Sequence, residues 1–155
     1  MIIRLATEQD IGSISQIYLH CFPNERNHLL WITSSFKSFP RSAYFVVEQQ
    51  GIIKGYILWC VKNGFRESTI IELEQLAVDT QYSGKGIGRQ LIADSFKQFK
   101  QHVAETGHKV GAVMVTTTEG NYAEKLYIST LNVSRAAILS GYASGNEVIL
   151  YTRLP

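Results

Sequence analysis

The sequence predicts an α/β (α+β) fold with a mixed, mostly antiparallel sheet, helices on both faces and one parallel strand pair in its middle. Three runs rich in Val, Ile, Tyr and Phe, at residues 43–48, 52–61 and 69–78, are separated by short polar or glycine-containing turns, which predicts an antiparallel meander. A glycine loop and an amphipathic helix to about residue 105 follow. The next β-branched run, 110–117, is expected to lie parallel to the strand before the loop, because a crossover helix joins the two.

Shorter elements are predicted at both ends of the chain. In order, they are a strand over 2–6, a helix capped by Thr7 to Asp10, a less regular helical stretch that ends near Pro40, a short helix over 121–130 and a hairpin of 134–142 and 147–153. No repeat, linker or low-complexity stretch interrupts this order. With 155 residues, of which 45% are hydrophobic, the chain is expected to form one domain over residues 1–155.

Composition argues against several classes of function. Fifteen Lys and Arg against thirteen Asp and Glu give a net charge of +2, and the basic residues are too scattered for a nucleic-acid surface. No apolar run reaches the ~18 residues of a membrane span, and the first residues show no export signal. Cys21 and Cys60 lie in apolar surroundings without a CxxC pattern, which favours buried, reduced thiols and a cytoplasmic location. The four histidines lack metal-ligand spacing, so no metal is expected.

The most informative segment is Gly84-Lys85-Gly86-Ile87-Gly88, between a predicted strand and a predicted helix. Glycines leave backbone N–H groups accessible, and the positive end of a helix dipole favours an anion. We therefore expect a ligand that carries a pyrophosphate. A Walker A loop needs Ser or Thr where Gly86 stands, and a dinucleotide fingerprint needs GxGxxG in a βαβ unit, so both fit poorly. The remaining alternative is a tight turn whose glycines only permit close packing.

The stretch from Leu76 to Ile92 closely resembles the main acetyl-CoA motif of the GNAT superfamily of N-acetyltransferases, whose loop is Arg/Gln-x-x-Gly-x-Gly/Ala. Ser83 stands where the family usually has Arg or Gln, and a shifted match from Gln81 also satisfies the pattern. A second family motif, Asn-x-x-Ala-x-x-Leu-Tyr followed by Gly-Phe, is matched in part. Its matching residues are Asn121, Ala123, Leu126 and Tyr127, and Leu131-Asn132 stands in place of Gly-Phe. The resemblance implies a GNAT-like fold with acetyl-CoA as co-substrate.

The resemblance also implies roles for individual residues. In the family fold the strands over 69–78 and 110–117 splay apart, and the pantetheine arm fills the gap like an added strand. The backbone of residues 76–78 would hold the pantetheine and polarise the thioester carbonyl. The cofactor-binding residues implied in this way are Leu76, Ala77, Val78, Ser83, Gly84, Lys85, Gly86, Ile87, Gly88, Arg89, Asn121 and Tyr127.

Acetyl transfer needs an uncharged amine, so a base is expected near the thioester. Glu72 and Glu74 are two apart on a strand and point to one face, at the level where the family often places a general base. The alternative is that both are solvated glutamates. Tyr127 matches the family tyrosine that protonates the departing thiolate, and the alternative for it is a core tyrosine beside Leu126.

The family builds its acceptor site from the first helical region and the last hairpin. Aromatic candidates there are Phe22, Trp31, Phe36 and Tyr142, and the alternative for each is a core residue. Segments 139–142 and 55–56 are similar to protein N-terminal acetyltransferases of the ribosomal-protein type, which favours a peptide α-amine over a small-molecule amine or amino acid. A non-catalytic acyl-CoA sensor and a nucleotide-binding Rossmann protein stay open as alternatives. The sequence is compatible with a monomer or a homodimer.

Overall fold

The computed structural model describes all 155 residues and contains one seven-stranded sheet with helices on both faces. The strands are β1 Ile2–Leu5, β2 Ser42–Gln49, β3 Ile52–Lys62, β4 Ser68–Val78, β5 Lys109–Thr118, β6 Ser134–Leu139 and β7 Glu147–Arg153. The helices are α1 Ile11–Cys21, α2 His28–Lys37, α3 Ile87–Glu105 and α4 Ala123–Leu131. The sheet order is β1-β2-β3-β4-β5-β7-β6, and only β4 and β5 pair in parallel. The predicted mixed, mostly antiparallel sheet is confirmed.

The sheet divides the core into two layers, because alternate residues of a strand face opposite sides. Ile57 and Trp59 of β3 pack with α3 and α4 in one layer, called the α3 layer. Tyr56 and Leu58 pack with α1 and α2 in the other, called the α1–α2 layer. Trp59 is fully buried and its Nε1 donates a hydrogen bond to the Ser95 hydroxyl of α3 at 2.8 Å. The only indole N–H in this layer is therefore satisfied, and α3 is held against the middle of the sheet.

The long helix α3 connects the two parallel strands and so places the glycine loop. Its buried face carries Leu91, Ile92, Phe99 and Val103, at the spacing of one helix face. Because this face packs across the sheet, the N-terminus of α3 lies beside the carboxyl end of β4. No helix in the protein combines the length and apolarity needed to cross a membrane.

The closing hairpin is shorter on its first side than the sequence predicts. β6 ends at Leu139 rather than at residue 142. Gly141 adopts a positive φ of 63°, and its N–H donates to Oδ1 of Asn146 at 3.2 Å. This turn bends the chain away before Tyr142, because a left-handed residue cannot continue a strand.

A cluster of charges ties the first strand to the first helix. The Arg4 guanidinium contacts the Asp10 carboxylate at 2.7 Å and that of Glu48 at 2.8 Å. Asp10 also accepts a hydrogen bond from the backbone N–H of Thr7 at 2.7 Å, closing a capping box ahead of α1. The Arg4 guanidinium, followed by the Thr7 N–H, holds the pKa of the Asp10 carboxyl below its usual range.

The Asp10→Asn variant is expected to lower the free energy of unfolding by about 1–2 kcal/mol at neutral pH, since the amide keeps the shape but loses the charge. The folded-state pKa of Asp10 is lowered. Its stabilisation is therefore fully present above the unfolded pKa of about 3.9 and is lost as the pH falls through the folded value. Urea unfolding of both proteins at about pH 7 and about pH 2 measures this. An equal difference at both pH values would contradict the assignment.

Candidate functional site

The parallel strands β4 and β5 separate at their carboxyl ends. Their paired residues end at Leu73 and Val115, whereas β4 continues to Val78 and β5 to Thr118. The edge of residues 74–78 that faces β5 therefore has no strand partner and can accept an extended ligand. A cleft of about 930 Å³ opens at this point. The splayed strand pair implied by the family resemblance is present.

A β-bulge in β4 directs side chains at the mouth of this cleft. Consecutive residues of β3 pair with Leu73 and Gln75, so Glu74 is an extra residue on β4. Beyond the bulge Leu76 packs against the α3 layer and Ala77 belongs to the α1–α2 layer. The bulge thus places Glu74 in the cleft wall, where the strand begins to diverge from β5.

Glu72 and Glu74 both lie next to Cys60, but their surroundings differ. Glu72 is the cross-strand neighbour of Cys60, is 8% exposed and places Oε2 3.1 Å from the Lys62 ammonium. Glu74 is exposed, accepts a hydrogen bond from the Cys60 thiol at 2.6 Å and forms no salt bridge. Only Glu74 lines the cleft. Of the two candidate bases, Glu74 is the one that a ligand in the cleft can reach.

The glycine loop is open on its ligand side. Gly84 and Gly86 have φ values of 76° and 77°, and a Cβ at either would meet no atom within 4 Å. Gly86 caps α3 without a side-chain hydrogen bond, so the first N–H groups of the helix remain available to an anion. Gly88 faces the core instead, and a Cβ there would make an ordinary contact with Leu126 of α4 at 3.5 Å. Lys85 is exposed and does not line the cleft.

The cation beside this loop is Arg89 rather than residue 83. The Ser83 hydroxyl donates to the carbonyl of Thr80 at 3.1 Å and carries no charge. The Arg89 guanidinium donates to the hydroxyls of Ser129 at 2.9 Å and Thr130 at 3.4 Å on α4. Because both partners are neutral, the charge of Arg89 stays uncompensated, and no other Lys or Arg lines the cleft. Arg89 can therefore supply the cation that the family motif takes from Arg at the position of Ser83.

Tyr127 forms part of the cleft wall and also of the core. It is 8% exposed and belongs to the α3 layer, together with Leu131 of the same helix. Burial, with a smaller contribution from Tyr122, raises the pKa of Tyr127 to about 12. The phenol is therefore protonated at neutral pH and can donate a hydrogen bond or a proton to a group in the cleft.

Two asparagines set the ends of α4. Oδ1 of Asn121 accepts a hydrogen bond from the N–H of Ala123 at 3.0 Å, so the helix begins at Ala123 rather than at residue 121. Asn132 ends it with φ of 56°, and its N–H donates to the carbonyl of Ile128 at 3.0 Å. Asparagine tolerates this left-handed geometry, so it ends the helix where the family motif has glycine.

A side pocket of about 210 Å³ lies beside the cleft, between α1, α2 and the sheet. The two cavities share Tyr18, Glu74 and Gln75. The other residues that line the side pocket are His28, Trp31, Ile32, Ser35, Tyr44 and Leu58. Neither Lys nor Arg is among them, and Glu74 is the only carboxylate of the pocket.

Most of the predicted cofactor-binding residues come together in the cleft wall. They are Leu76, Ala77, Val78, Ser83, Gly84, Gly86, Ile87, Gly88, Arg89, Asn121 and Tyr127. Among the aromatic candidates for the acceptor site, Phe22 lines the cleft and Trp31 lines the side pocket. Phe36 packs against the α1–α2 core, and Tyr142 is 65% exposed and lines neither cavity.

Sequence reasoning named Phe22 at the end of α1 but missed its neighbours His20 and Cys21 as part of the site. His20 and Cys21 line the cleft, with the Cys21 thiol donating to the Val78 carbonyl at 3.4 Å and Nδ1 of His20 3.6 Å from Oδ2 of Asp79. Cys21 is half-buried rather than buried, and burial raises the pKa of its thiol, so it is protonated at neutral pH. The helical spacing of α1 predicts a core face but does not show that the face continues past the sheet into a cleft.

The comparisons with known proteins agree with this geometry. The model of the acetyltransferase (GNAT) family matches residues 11–129. A sequence search of curated proteins finds no match.

Similar solved structures share the fold over the whole chain. The ribosomal-protein-alanine N-acetyltransferase from Brucella melitensis is 20% identical, with a TM-score of 0.76 and coverage of 99% of this chain and 100% of that chain. A chain of the NatC complex bound to Gag peptide and CoA is 18% identical, with a TM-score of 0.76 and coverage of 100% of both chains. The aminoglycoside 6'-N-acetyltransferase from Enterococcus faecium is 14% identical, with a TM-score of 0.77 and coverage of 100% of this chain and 98% of that chain. At these identities the likeness establishes the fold alone.

Proposed function

This chain belongs to the acetyltransferase (GNAT) family, and on that premise we propose that it transfers the acetyl group of acetyl-CoA to a primary amine, with a peptide α-amine as the preferred acceptor. One observation carries the proposal: the unpaired edge of β4 and the glycine-capped N-terminus of α3 open into the same cleft. An unpaired strand edge suits the amide-containing pantetheine arm, and a helix N-terminus suits a pyrophosphate.

In this proposal, the ligand is held mainly by backbone. Residues 76–78 of β4 offer N–H and C=O groups to the pantetheine, and the loop at 84–88 offers N–H groups to the pyrophosphate. Arg89 adds a positive charge, and no carboxylate competes with the pyrophosphate for it, because its partners are neutral hydroxyls. The acetyl group then lies near the bulge, between Glu74 on one wall and Tyr127 on the other.

The proposed reaction is a direct attack on the thioester. The amine nitrogen bonds to the acetyl carbon, the carbon–sulfur bond breaks, and the product is an amide and a thiolate. Glu74 accepts the proton that the attacking nitrogen must lose, directly or through a water, and the Tyr127 hydroxyl gives a proton to the sulfur. Transfer of the proton from Glu74 to the Tyr127 phenolate through water then restores both residues. With a pKa of about 12, Tyr127 gives up its proton only once negative charge has developed on the sulfur.

The charges of the cleft favour a cationic acceptor. Three glutamates, Glu25, Glu74 and Glu147, line it against the single Arg89. This excess of carboxylates would also suit a small-molecule polyamine or aminoglycoside, which is the second candidate class of acceptor. A peptide α-amine comes first because its ordinary pKa of about 7.7 to 8.0 leaves it partly neutral at physiological pH.

The proposed function is tested by release of the CoA thiol from acetyl-CoA with a panel of peptides, amino-acid amides, polyamines and aminoglycosides. Turnover with at least one amine, and a mass increase of one acetyl group on it, is expected. Acetyl-CoA that binds in a calorimeter without turnover on any amine would instead indicate a sensor, and preferential binding of a dinucleotide would remove the assignment altogether.

The two glutamates are expected to respond differently to the same change. Glu74→Gln should lower kcat/KM for the acceptor by ~10²- to 10⁴-fold and flatten the acid limb of its pH-rate profile, because Gln cannot accept the proton. Glu72→Gln leaves Lys62 unpaired at a partly exposed site, which should cost about 1 kcal/mol and ~2–4 °C in Tm with near-normal turnover. Steady-state rates and thermal melts of both variants provide the comparison. If Glu72→Gln loses activity and Glu74→Gln does not, their roles are reversed.

A further inference from the structure

Two consecutive residues of β4 face the same side of the sheet, although neighbours in a regular strand face opposite sides. Glu74 accepts its hydrogen bond from the Cys60 thiol, and Oε1 of Gln75 accepts one from the Tyr56 hydroxyl at 3.2 Å. Cys60 and Tyr56 both belong to the α1–α2 layer, so Glu74 and Gln75 both lie on that side. The bulge at Glu74 permits this arrangement, and both residues line the cleft.

The contact with Tyr56 fixes which way the Gln75 amide is turned. Tyr56 is fully buried, and Oε1 of Gln75 is the only hydrogen-bond partner of its hydroxyl. Exchanging the oxygen and the nitrogen of the amide would leave the phenol hydrogen without an acceptor, which is costly for a buried group. The amide oxygen is therefore committed to Tyr56, and the NH2 group is not.

The NH2 group of Gln75 is a donor without a partner inside the protein. The hydrogen bond from Tyr56 is the only one that the Gln75 side chain makes. No buried side-chain nitrogen or oxygen of the protein lacks a partner, so Nε2 of Gln75 is within reach of solvent. Gln75 is half-buried and lines both the cleft and the side pocket, so its N–H groups are available to a ligand there.

Glu74 and Gln75 thus place a hydrogen-bond acceptor beside a hydrogen-bond donor. The Cα atoms of adjacent residues are about 3.8 Å apart, and the amine nitrogen and carbonyl oxygen of an α-amino carbonyl group lie roughly 3 Å apart. A peptide N-terminus can therefore place its nitrogen at Glu74 and the carbonyl oxygen of its first residue at Gln75. An alkylamine, such as a polyamine or a lysine side chain, has no oxygen to place there.

We propose that Gln75 is a specificity-determining residue, whose NH2 group donates to the carbonyl oxygen next to the reacting amine while Glu74 takes the proton of that amine. This inference rests on the proposed function, because it concerns the acceptor of the same reaction. The acceptor class is an α-amine with a carbonyl on the adjacent carbon, as in a peptide or an amino-acid amide. Tyr56 lines neither cavity and acts as a positioning residue through Gln75.

The test compares two peptides that differ only at their first amide bond, one natural and one with a trans-alkene in its place. The alkene keeps the shape and removes the oxygen. For each peptide kcat/KM is measured, and a peptide that is not turned over is compared by its inhibition constant. The preference for the natural peptide in the wild-type protein is divided by that in each variant, so that differences in amine reactivity cancel.

Gln75→Met keeps the length of the side chain and removes the donor. It should slow the natural peptide by about 3- to 10-fold, the range of one neutral hydrogen bond, and leave the alkene peptide near its wild-type rate. Gln75→Met also leaves the buried Tyr56 hydroxyl unpaired, so the double variant Gln75→Met with Tyr56→Phe, which removes both groups, is measured beside it. Both should lose the preference equally. Tyr56→Phe alone keeps the donor but releases the amide, so it should lose less.

The outcomes separate this inference from the proposed function. An active protein whose preference is unchanged in Gln75→Met and in the double variant would overturn the inference and leave the acetyltransferase assignment standing. The same follows if both peptides are slowed equally, or if only amines without an adjacent carbonyl are acetylated. A wild-type protein that acetylates no amine would overturn both. Where the inference holds, an amide of the first residue that matches the peptide identifies a small acceptor, and a much poorer amide identifies a peptide.

Discussion

The Gly86→Asp variant is expected to fold and to lose acetyl-CoA binding by about 100-fold or more. The new carboxylate would stand at the N-terminus of α3, where the pyrophosphate is proposed to bind, and would take the N–H groups that the phosphates need. Loss of two hydrogen bonds to a charged group is worth ~3 kcal/mol, which corresponds to roughly 100-fold in Kd. Calorimetric titration with acetyl-CoA measures the change.

The Gly86→Asp variant should still fold, because the position tolerates the new side chain. Gly86 has a positive φ of 77°, which strains most side chains, but Asp tolerates this region and is a good helix cap. A Cβ there meets no atom within 4 Å. The control is Gly86→Asn, which has the same shape and backbone strain without the negative charge and should weaken binding less. Wild-type affinity in Gly86→Asp would remove the phosphate-loop assignment.

The fold could be predicted from the sequence because its signals are local and repeated. Strand runs, turn residues and one amphipathic helix fix β2, β3, β4, α3 and β5, and the crossover rule then determines the parallel pair. The glycine loop could be recognised for the same reason, since its function depends on adjacent residues. The observed ends of helices and strands differ from the predicted ones by one to three residues where a single side chain decides them, as Asn121 does at the start of α4.

The parts of the site that depend on distant residues could not be predicted. That Glu74 is available while Glu72 is paired depends on a bulge and on Lys62 from another strand. That Arg89 lines the cleft while two hydroxyls of α4 hold it depends on residues forty and forty-one positions further along the chain. The side pocket combines residues of two helices and three strands, none of which is unusual in its own segment. Contacts between residues that are distant in the sequence, rather than local patterns, create these features.

The Tyr127→Phe variant is expected to keep its fold and its acetyl-CoA affinity while kcat and kcat/KM fall together by ~10²- to 10⁴-fold. The ring that packs in the α3 layer is retained, and only the hydroxyl of this cleft-lining residue is removed. If that hydroxyl gives its proton to the sulfur only as the carbon–sulfur bond breaks, the interaction exists in the transition state and not in the ground state. Its loss then changes the rate and not the binding.

Tyr122→Phe is the matched control for this variant, because it makes the same chemical change to a tyrosine that also lines the cleft but is 88% exposed. Its turnover should stay near that of the wild-type protein. Melting temperature, acetyl-CoA affinity and steady-state rates, measured on both variants, distinguish the two roles of Tyr127. A purely structural tyrosine would give a lower melting temperature with near-normal turnover in the folded protein, and full activity of Tyr127→Phe at unchanged affinity would show that the proton reaches the sulfur from another group.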